Sequence, residues 1–539
     1  MIIFLKTLWA IKLVKDLLFW LYLWQLKEYH WGRFREHFKT KKGRKILFRS
    51  FQPLKLLGLL LLFLPFPLFN TALLFILFVY FVENIFFFKK ILLRRIKKPV
   101  FTLKIVFLCL LNFIFVFSFL KFINSTSSYL QLIYLIIYDL FFPVFVSFSL
   151  WIVQPFFILV RKILLRKAQR KLEEIRSHTG LIVIGITGSY GKTSTKEFLS
   201  TILSFKYKVL ATKEHQNAEI AIANTILERL QPDHQIFIAE IGAYDKGKVK
   251  EVCQILKPDI GVVTGVNEQH LALFRSMEKL LSAEGGGELS DALVKNKGIL
   301  VVNGENKYCR DLLKQNNLPF SQERIYTLEK IGINADLWVE EWKVEKERVI
   351  FTTLNKKGEM GFFEVSVLGK HNIQNLLAAI LVASELGMKL EEIIHASSFI
   401  KPEQGGIVLR KGKYGINIID SSYSANPSGV LADLEYLSIF PGKRAVVMPC
   451  LIELGERSKE IHQEIGEKIA KVCQLAVITS QDYFKEIKRG FLQQGGKEES
   501  IVFSENPQEI LNKITFHCKE GDAVLLEGRI PKEVISLLQ

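Results

Sequence analysis

Acidic side chains are scarce in the first third of this 539-residue chain. Residues 1–178 hold seven Asp and Glu against 28 Lys and Arg, whereas residues 179–539 hold 47 against 44. The net charge of +18 therefore belongs to one segment, which excludes a uniformly basic nucleic-acid binder. Cysteine is scarce as well. The six residues form no CxxC pair, so no zinc or redox motif is present, and they read as idle thiols of a reducing compartment. No small-residue cleavage site follows the first apolar stretch, which argues against a cleavable signal peptide. Hydrophobic residues make up 49% of the chain, too many for bulk disorder.

What fills the basic third is apolar. Residues 54–88 are too long for one membrane crossing, and Pro65, Pro67 and Asn70 break them into a helical hairpin of two spans. Residues 101–123 give a third span. Residues 129–160 give a fourth, with Pro143 and Pro155 as expected kinks. Basic loops at 27–49, 89–98 and 161–176 alternate with uncharged turns at 65–71 and 124–128. The positive-inside rule then places the basic loops, and everything after about residue 165, in the cytoplasm. Residues 1–26 are ambiguous. Lys6, Lys12, Lys15 and Asp16 interrupt them, and such charges favour a helix lying in the interface over one that spans. Residues 1–165 thus read as a helical, multi-pass membrane domain.

After His178 the pattern changes to alternating β and α segments, the signature of a doubly wound parallel sheet. The apolar strand 181–187 runs into Gly188, Ser189, Tyr190, Gly191, Lys192, Thr193 and Ser194, and a helical stretch follows. A strand, a glycine-rich turn ending in Gly-Lys-Thr and a helix is the arrangement that cradles phosphates. The glycines let backbone amides approach, Lys192 reaches the β/γ oxygens, and the Thr193 hydroxyl suits Mg²⁺. The generic spacing is not met, because Ile186 occupies the usual first-glycine place. Glu240 ends a later strand and His270 follows the next, so strand order places both at the same sheet edge as potential cation ligands. Residues 320–367 alternate in short runs and read as an antiparallel insertion. His371, Asn372 and Asn375 open a Leu/Ala-rich helix, where their simplest role is capping. From about 401 a second, smaller α/β domain begins. The boundaries read as 179–400 and 401–539.

The runs GITGSYGKTSTK (185–196), NAEI (217–220), AEIGA (239–243), KPDIGVVTGVNEQH (257–270), VVNGEN (301–306), LGKHNIQNLLAA (368–379), IIDSSYSANPSG (418–429) and ELGERSKEIHQEIG (453–466) resemble the Mur ligases. These are the ATP-dependent amide-forming enzymes of peptidoglycan synthesis. The resemblance is greatest to the branch that adds D-alanyl-D-alanine to a UDP-muramoyl tripeptide. It implies a P-loop α/β central domain and a Rossmann-like α/β C-terminal domain. It implies that Lys192 and Thr193 hold ATP phosphates and Mg²⁺, that Glu240 and His270 bind metal, and that Lys192, Glu240 and His270 serve catalysis. It places His371, Asn372 and Asn375 at the adenine side, and brings Asp420 to the nucleotide from the C-terminal domain. The implied reaction is phosphorylation of a carboxylate, then displacement of phosphate by an amine.

The departures are specific. The family's carbamylated lysine falls at Gly286, where Glu284 or Glu288 is the available carboxylate, and three consecutive glycines weaken the helix there. The family arginine falls at Gly406, a second Asp at Ser421, and Lys-Gly-Ser at Glu527-Gly528-Arg529. The UDP-gripping first domain is replaced by the membrane helices. The expected partners are therefore a UDP- or lipid-linked muramoyl peptide and D-Ala-D-Ala at the cytoplasmic membrane, with no nucleic acid. Two alternatives stand beside this reading. One is another membrane-bound amide ligase of the poly-γ-glutamate synthase type. The other is a non-catalytic nucleotide-binding scaffold for cell-wall synthesis proteins.

Overall fold

A computed structural model describes the chain except for residues 28, 48–50, 63–68, 94–95, 214–215, 244, 316, 330–333, 424 and 539. It divides into two compact units, residues 1–163 and 164–539.

The first unit is helical: α1 (Ile2–Leu26), α2 (Trp31–Lys39), α3 (Lys41–Leu47), α4 (Gln52–Leu62), α5 (Phe69–Leu92), α6 (Leu103–Ile123) and the start of α7 (Ser128–Thr179). Among the described residues, α5, α6 and α7 are long and apolar enough to cross a membrane, and α4 is a shorter apolar helix. The expected turn at Pro65 and Pro67 lies outside the described residues. Helix α7 is continuous through Pro143 and Pro155.

Helix α1 is packed among the others. Trp9 is fully buried and donates from Nε1 to the Leu135 carbonyl at 2.9 Å. Lys6 donates to Asn124 in the α6–α7 turn, and the Gln25 amide pairs with the Val100 backbone in the α5–α6 loop. Its charges are matched. Lys12 contacts Asp16 at 2.7 Å and also Asp139, Lys15 meets Glu83 at 2.7 Å, and Lys55 bridges Glu83 at 2.6 Å and Asp139 at 2.7 Å. The Tyr80 hydroxyl donates to Asp139 at 2.7 Å. Three cations face three carboxylates, so the desolvation that forbids lone buried charges is offset within the bundle.

In the second unit, nine strands form one sheet in the order β2-β3-β1-β4-β5-β6-β7-β8-β9. They are β1 (Ile182–Thr187), β2 (Val209–Ala211), β3 (Ile236–Glu240), β4 (Ile260–Val263), β5 (Ile299–Asn303), β6 (Glu323–Thr327), β7 (Leu337–Val344), β8 (Val349–Asn355) and β9 (Met360–Val365). Strands β1–β7 pair in parallel, and β7, β8 and β9 pair antiparallel. The strands expected as an antiparallel insertion over 320–367 therefore continue the main sheet: Tyr326 and Thr327 of β6 pair in parallel with Leu337 and Trp338 of β7. Alternation in sequence reports a half-buried strand but not which sheet it joins.

Helices pack on both faces. They are α8 (Lys192–Leu203), α9 (Glu219–Arg229), α10 (Lys248–Leu256), α11 (Leu271–Phe274), α12 (Met277–Ala283), α13 (Gly287–Asn296), α14 (Lys307–Gln315), α15 (His371–Glu385) and α16 (Leu390–Ser397). On one face Phe198 and Ile202 of α8 meet Leu376 and Ile380 of α15. The other face includes Leu165, Ala168, Leu172 and Ile175, a helical stripe on the end of α7.

A second sheet has the order β10-β11-β15-β12-β13-β14 and is parallel except for the edge strand β10. Its strands are β10 (Val408–Lys411), β11 (Asn417–Ser421), β12 (Arg444–Met448), β13 (Leu475–Ile478), β14 (Ile501–Phe503) and β15 (Ala523–Glu527). The helices of this part are α17 (Pro427–Leu437), α18 (Ser458–Val472), α19 (Phe484–Gln493), α20 (Pro507–His517) and α21 (Lys532–Leu538).

Candidate functional site

The carboxyl ends of β1, β3 and β4 are neighbours, because β1 pairs with both others. The turn after β1 is set by two glycines with left-handed backbone, Gly188 (φ 138°) and Gly191 (φ 77°). A Cβ on Gly188 would lie 2.4 Å from Thr264 Oγ1, and one on Gly191 would lie 2.5 Å from Asn375 Oδ1. The turn is thus closed to side chains by conformation and by space. Lys192 begins α8 and donates from Nζ across the turn to the Gly188 carbonyl. The amino end of α8 adds a positive helix dipole where an anion would sit.

The other residues of the turn divide their work. The Ser189 amide donates to the Gly265 carbonyl at 2.7 Å, and its hydroxyl donates to Glu284 Oε2 at 3.1 Å. The Tyr190 ring lies against Gly265 and its hydroxyl accepts from Asn306 at 3.1 Å, so its part in the turn is played by its backbone. Burial pushes the Tyr190 phenol up to about 12. Ser194 is partly buried and lies near Gly406.

Glu240 closes β3 and is 2% exposed. It accepts from Thr193 Oγ1 at 2.9 Å and from Asn217 Nδ2 at 3.1 Å, and the Lys196 ammonium lies 3.6 Å away. Lys196 is fully buried one helical turn after Lys192. Neither Lys196 nor Asn217 is assigned a role by sequence reasoning. The i, i+4 spacing from Lys192 was the available signal for Lys196.

His270 caps α11, and its Nδ1 donates to Glu284 Oε1 at 2.8 Å. Burial alone would raise the Glu284 carboxyl, but His270, Lys192 and the hydrogen bonds from His270 and Ser189 outweigh it and hold the group below its usual value. Glu288 is engaged elsewhere: it accepts from the Gly247 amide at 2.5 Å and from the Lys250 amide at 2.8 Å, tying down the start of α10. The glycine run breaks the helix as expected, with α12 ending at Ala283 and α13 starting at Gly287.

The residues expected at the adenine side open α15. His371 is partly buried, its Nδ1 is buried without a hydrogen-bond partner among the described residues, and burial pushes its imidazole down. Asn375 Oδ1 accepts from Thr195 at 3.4 Å and lies against Gly191, so it touches the turn. Asn372 is fully buried; its amide donates to the Leu368 and Gly405 carbonyls and its oxygen accepts from Asn375. The structure therefore gives Asn372 an internal clamping position. Asp420, at the end of β11, accepts from the Ser422 amide at 3.1 Å and hydroxyl at 2.6 Å, and among the described contacts none joins it to the glycine turn. The loop carrying His270 is instead gripped from the C-terminal part by Asn426 and Ser428, which accept from Asn267 at 3.0 Å, and by Arg457 on Glu268 at 2.5 Å.

Among the described residues no three His, Cys, Asp or Glu side chains converge on one point. A cation here would draw on Thr193 and single carboxylates together with phosphate oxygens. That donor set is hard and oxygen-rich, as Mg²⁺ requires.

Comparison with known proteins agrees with this geometry. Residues 186–383 match the Mur ligase middle domain, and residues 408–530 match the Mur ligase glutamate ligase domain. The chain is 27% identical over 351 residues to the UDP-N-acetylmuramoyl-tripeptide–D-alanyl-D-alanine ligase of Bacillus subtilis, covering 65% of this chain and 73% of that one. It is 30% identical to the Synechocystis enzyme of the same name, covering 53% and 59%. Among solved structures, MurF from Acinetobacter baumannii superposes with a TM-score of 0.61 at 23% identity, covering 70% of this chain and 79% of that one. MurF from Thermotoga maritima in complex with ADP gives 0.59 at 24%, covering 70% and 83%.

Proposed function

Because the chain belongs to the Mur ligase family through its middle and C-terminal domains, we propose that it is an ATP-dependent amide ligase of peptidoglycan precursor synthesis. It joins D-alanyl-D-alanine to a muramoyl tripeptide. The observation that carries this reading is the glycine turn that holds Lys192 across it and sets Thr193 beside Glu240, in a chain with the named relatives above.

The chain's own groups suit the task. The closed turn and the α8 amino end receive a triphosphate, and Lys192 neutralises it. His371, whose Nδ1 has no hydrogen-bond partner among the described residues, and Asn375, which touches the glycine turn, are the residues we assign to the adenine side. Thr193, Glu240 and His270 are the residues that would hold Mg²⁺, and the oxygen donors fit it. When bound, Mg²⁺ supplies charge neutralisation at the transferred phosphoryl group. The tripeptide carboxylate takes that phosphoryl group, and the D-Ala-D-Ala amine then attacks the acyl carbon and expels phosphate. Both steps gather negative charge near Lys192 and Lys196, which are fixed in place and need no reorganisation.

We further propose that the first unit embeds in the cytoplasmic membrane with the ligase domains inside, and that α1 spans. Its ends reach the α6–α7 turn and the α5–α6 loop, 25 residues cover about 37 Å at 1.5 Å each, and its buried charges are paired. Membrane embedding favours a lipid-linked acceptor. The test is to offer UDP-linked and lipid-linked tripeptides to the full chain and to detect the pentapeptide by mass spectrometry. Turnover of the lipid-linked acceptor supports the proposal. Exclusive use of the soluble one removes its membrane half, and no amide product from either removes all of it.

A further inference from the structure

Glu284 sits inside the phosphate site without a role in the mechanism above. It is 1% exposed. One carboxylate oxygen accepts from His270 Nδ1 at 2.8 Å and the other from the glycine-turn Ser189 at 3.1 Å. A fixed anion in a pocket built for phosphates is repulsive unless it serves a cation or a cation's ligand. The bond to His270 identifies which. A carboxylate on Nδ1–H fixes the tautomer and the orientation of the ring, the usual support of a metal-bound histidine. The bond to Ser189 holds the phosphate turn against the same carboxylate.

We propose that Glu284 is the positioning residue that locks His270 and the phosphate turn into one cation–phosphate site. The inference rests on the nucleotide- and cation-binding reading above. It also accounts for the glycine run. Ending α12 at Ala283 lets Glu284 turn inward. Gly286 then adopts φ 91°, where a Cβ would meet Val263 Cγ2 at 2.5 Å, so no lysine side chain can grow from that position without moving the end of β4. Glu288 cannot substitute, because both its oxygens hold the start of α10. The site is therefore completed by a carboxylate encoded in the chain, and it owes nothing to carbon dioxide.

The test uses the full chain in lipid nanodiscs with ADP, and Mn²⁺ as a paramagnetic probe. Wild type, Glu284→Gln and the graded variant Glu284→Asp are compared by Mn²⁺ titration and by ¹⁵N-histidine NMR. The His270 signals are assigned through their loss in His270→Gln. We expect the Nδ1–H signal in wild type, and its shift or loss in Glu284→Gln, where the charged acceptor becomes a neutral amide. We also expect Mn²⁺ affinity about tenfold or more weaker in Glu284→Gln, a loss larger than any change in ADP affinity measured without metal. Glu284→Asp should be intermediate, and stripping bicarbonate should leave wild type unaltered. Unchanged Mn²⁺ affinity in Glu284→Gln overturns the inference, as does a wild-type His270 protonated only on Nε2, or bicarbonate-dependent Mn²⁺ binding in wild type. Failure of wild type to bind Mn²⁺ and ADP at all would overturn the functional reading itself, which is a separate outcome.

Discussion

Single residues carry the sharpest expectations. Gly191 combines a left-handed backbone with an oxygen 2.5 Å from where a Cβ would stand. Gly191→Ala should cost about 1–3 kcal/mol in local strain and abolish ADP binding by calorimetry. Retained binding would mean the turn is not the phosphate seat. His462 makes a pH prediction. Its Nε2 accepts from the Leu451 amide at 2.9 Å and its Nδ1 donates to the Ser458 carbonyl at 2.5 Å, so only the neutral ring fits. Burial pushes it from 6.5 down to about 4. A depressed histidine contributes stability that is complete above the unfolded value and is lost as pH falls from about 6.5 to about 4. The loss is on the order of 3 kcal/mol across that window. Thermal melts of His462→Gln should show a flatter pH dependence there than wild type. Parallel curves would rule this group out.

At the scale of elements, what could be read from sequence followed how local the cause was. The glycine turn was legible because strand, turn and helix lie within about twenty residues and each has its own signal. The break between α12 and α13 was legible from three glycines. What Glu284 does after the break was not, because it depends on the registers of β1 and β4. The same holds for Lys196 and Asn217, which acquire meaning only when β3 places Glu240 between them. Asn372 carries the family pattern, yet its amide is engaged by Leu368 and Gly405. Helix α1 was the hardest element. Its charges argue against spanning, and their partners Glu83 and Asp139 lie 68 and 127 positions away. Lys55, Glu83 and Asp139 join α4, α5 and α7 through one buried ammonium. Lys55→Met would leave both carboxylates short of a partner and should destabilise the first unit by about 3–5 kcal/mol, read as a lower melting temperature in nanodiscs. A neutral effect would show that the bundle does not depend on the pairing.

For the whole molecule, the proposal makes a ligase that works at a bilayer surface. If α1 spans in the same direction as α7, Met1 and the end of the first unit lie on opposite sides of the membrane. Lys12, Tyr80 and Asp139 each lie ten or eleven residues into their helices, about 16 Å along them, so on the proposed topology the charge cluster would sit near the midplane of a bilayer about 30 Å thick. Tags at the two ends of the full chain should respond oppositely to a membrane-impermeant reagent in intact cells. Labelling of both, or of Gln539 alone, contradicts the topology. The central claim, phosphoryl chemistry at the glycine turn, is tested most directly by phosphate release from the full chain supplied with ATP, Mg²⁺, tripeptide precursor and D-Ala-D-Ala, with wild type set against Lys192→Ala. Release should require both substrates and fall at least about a hundredfold in the variant. Equal release from the two proteins, or none from wild type with any precursor, would contradict it.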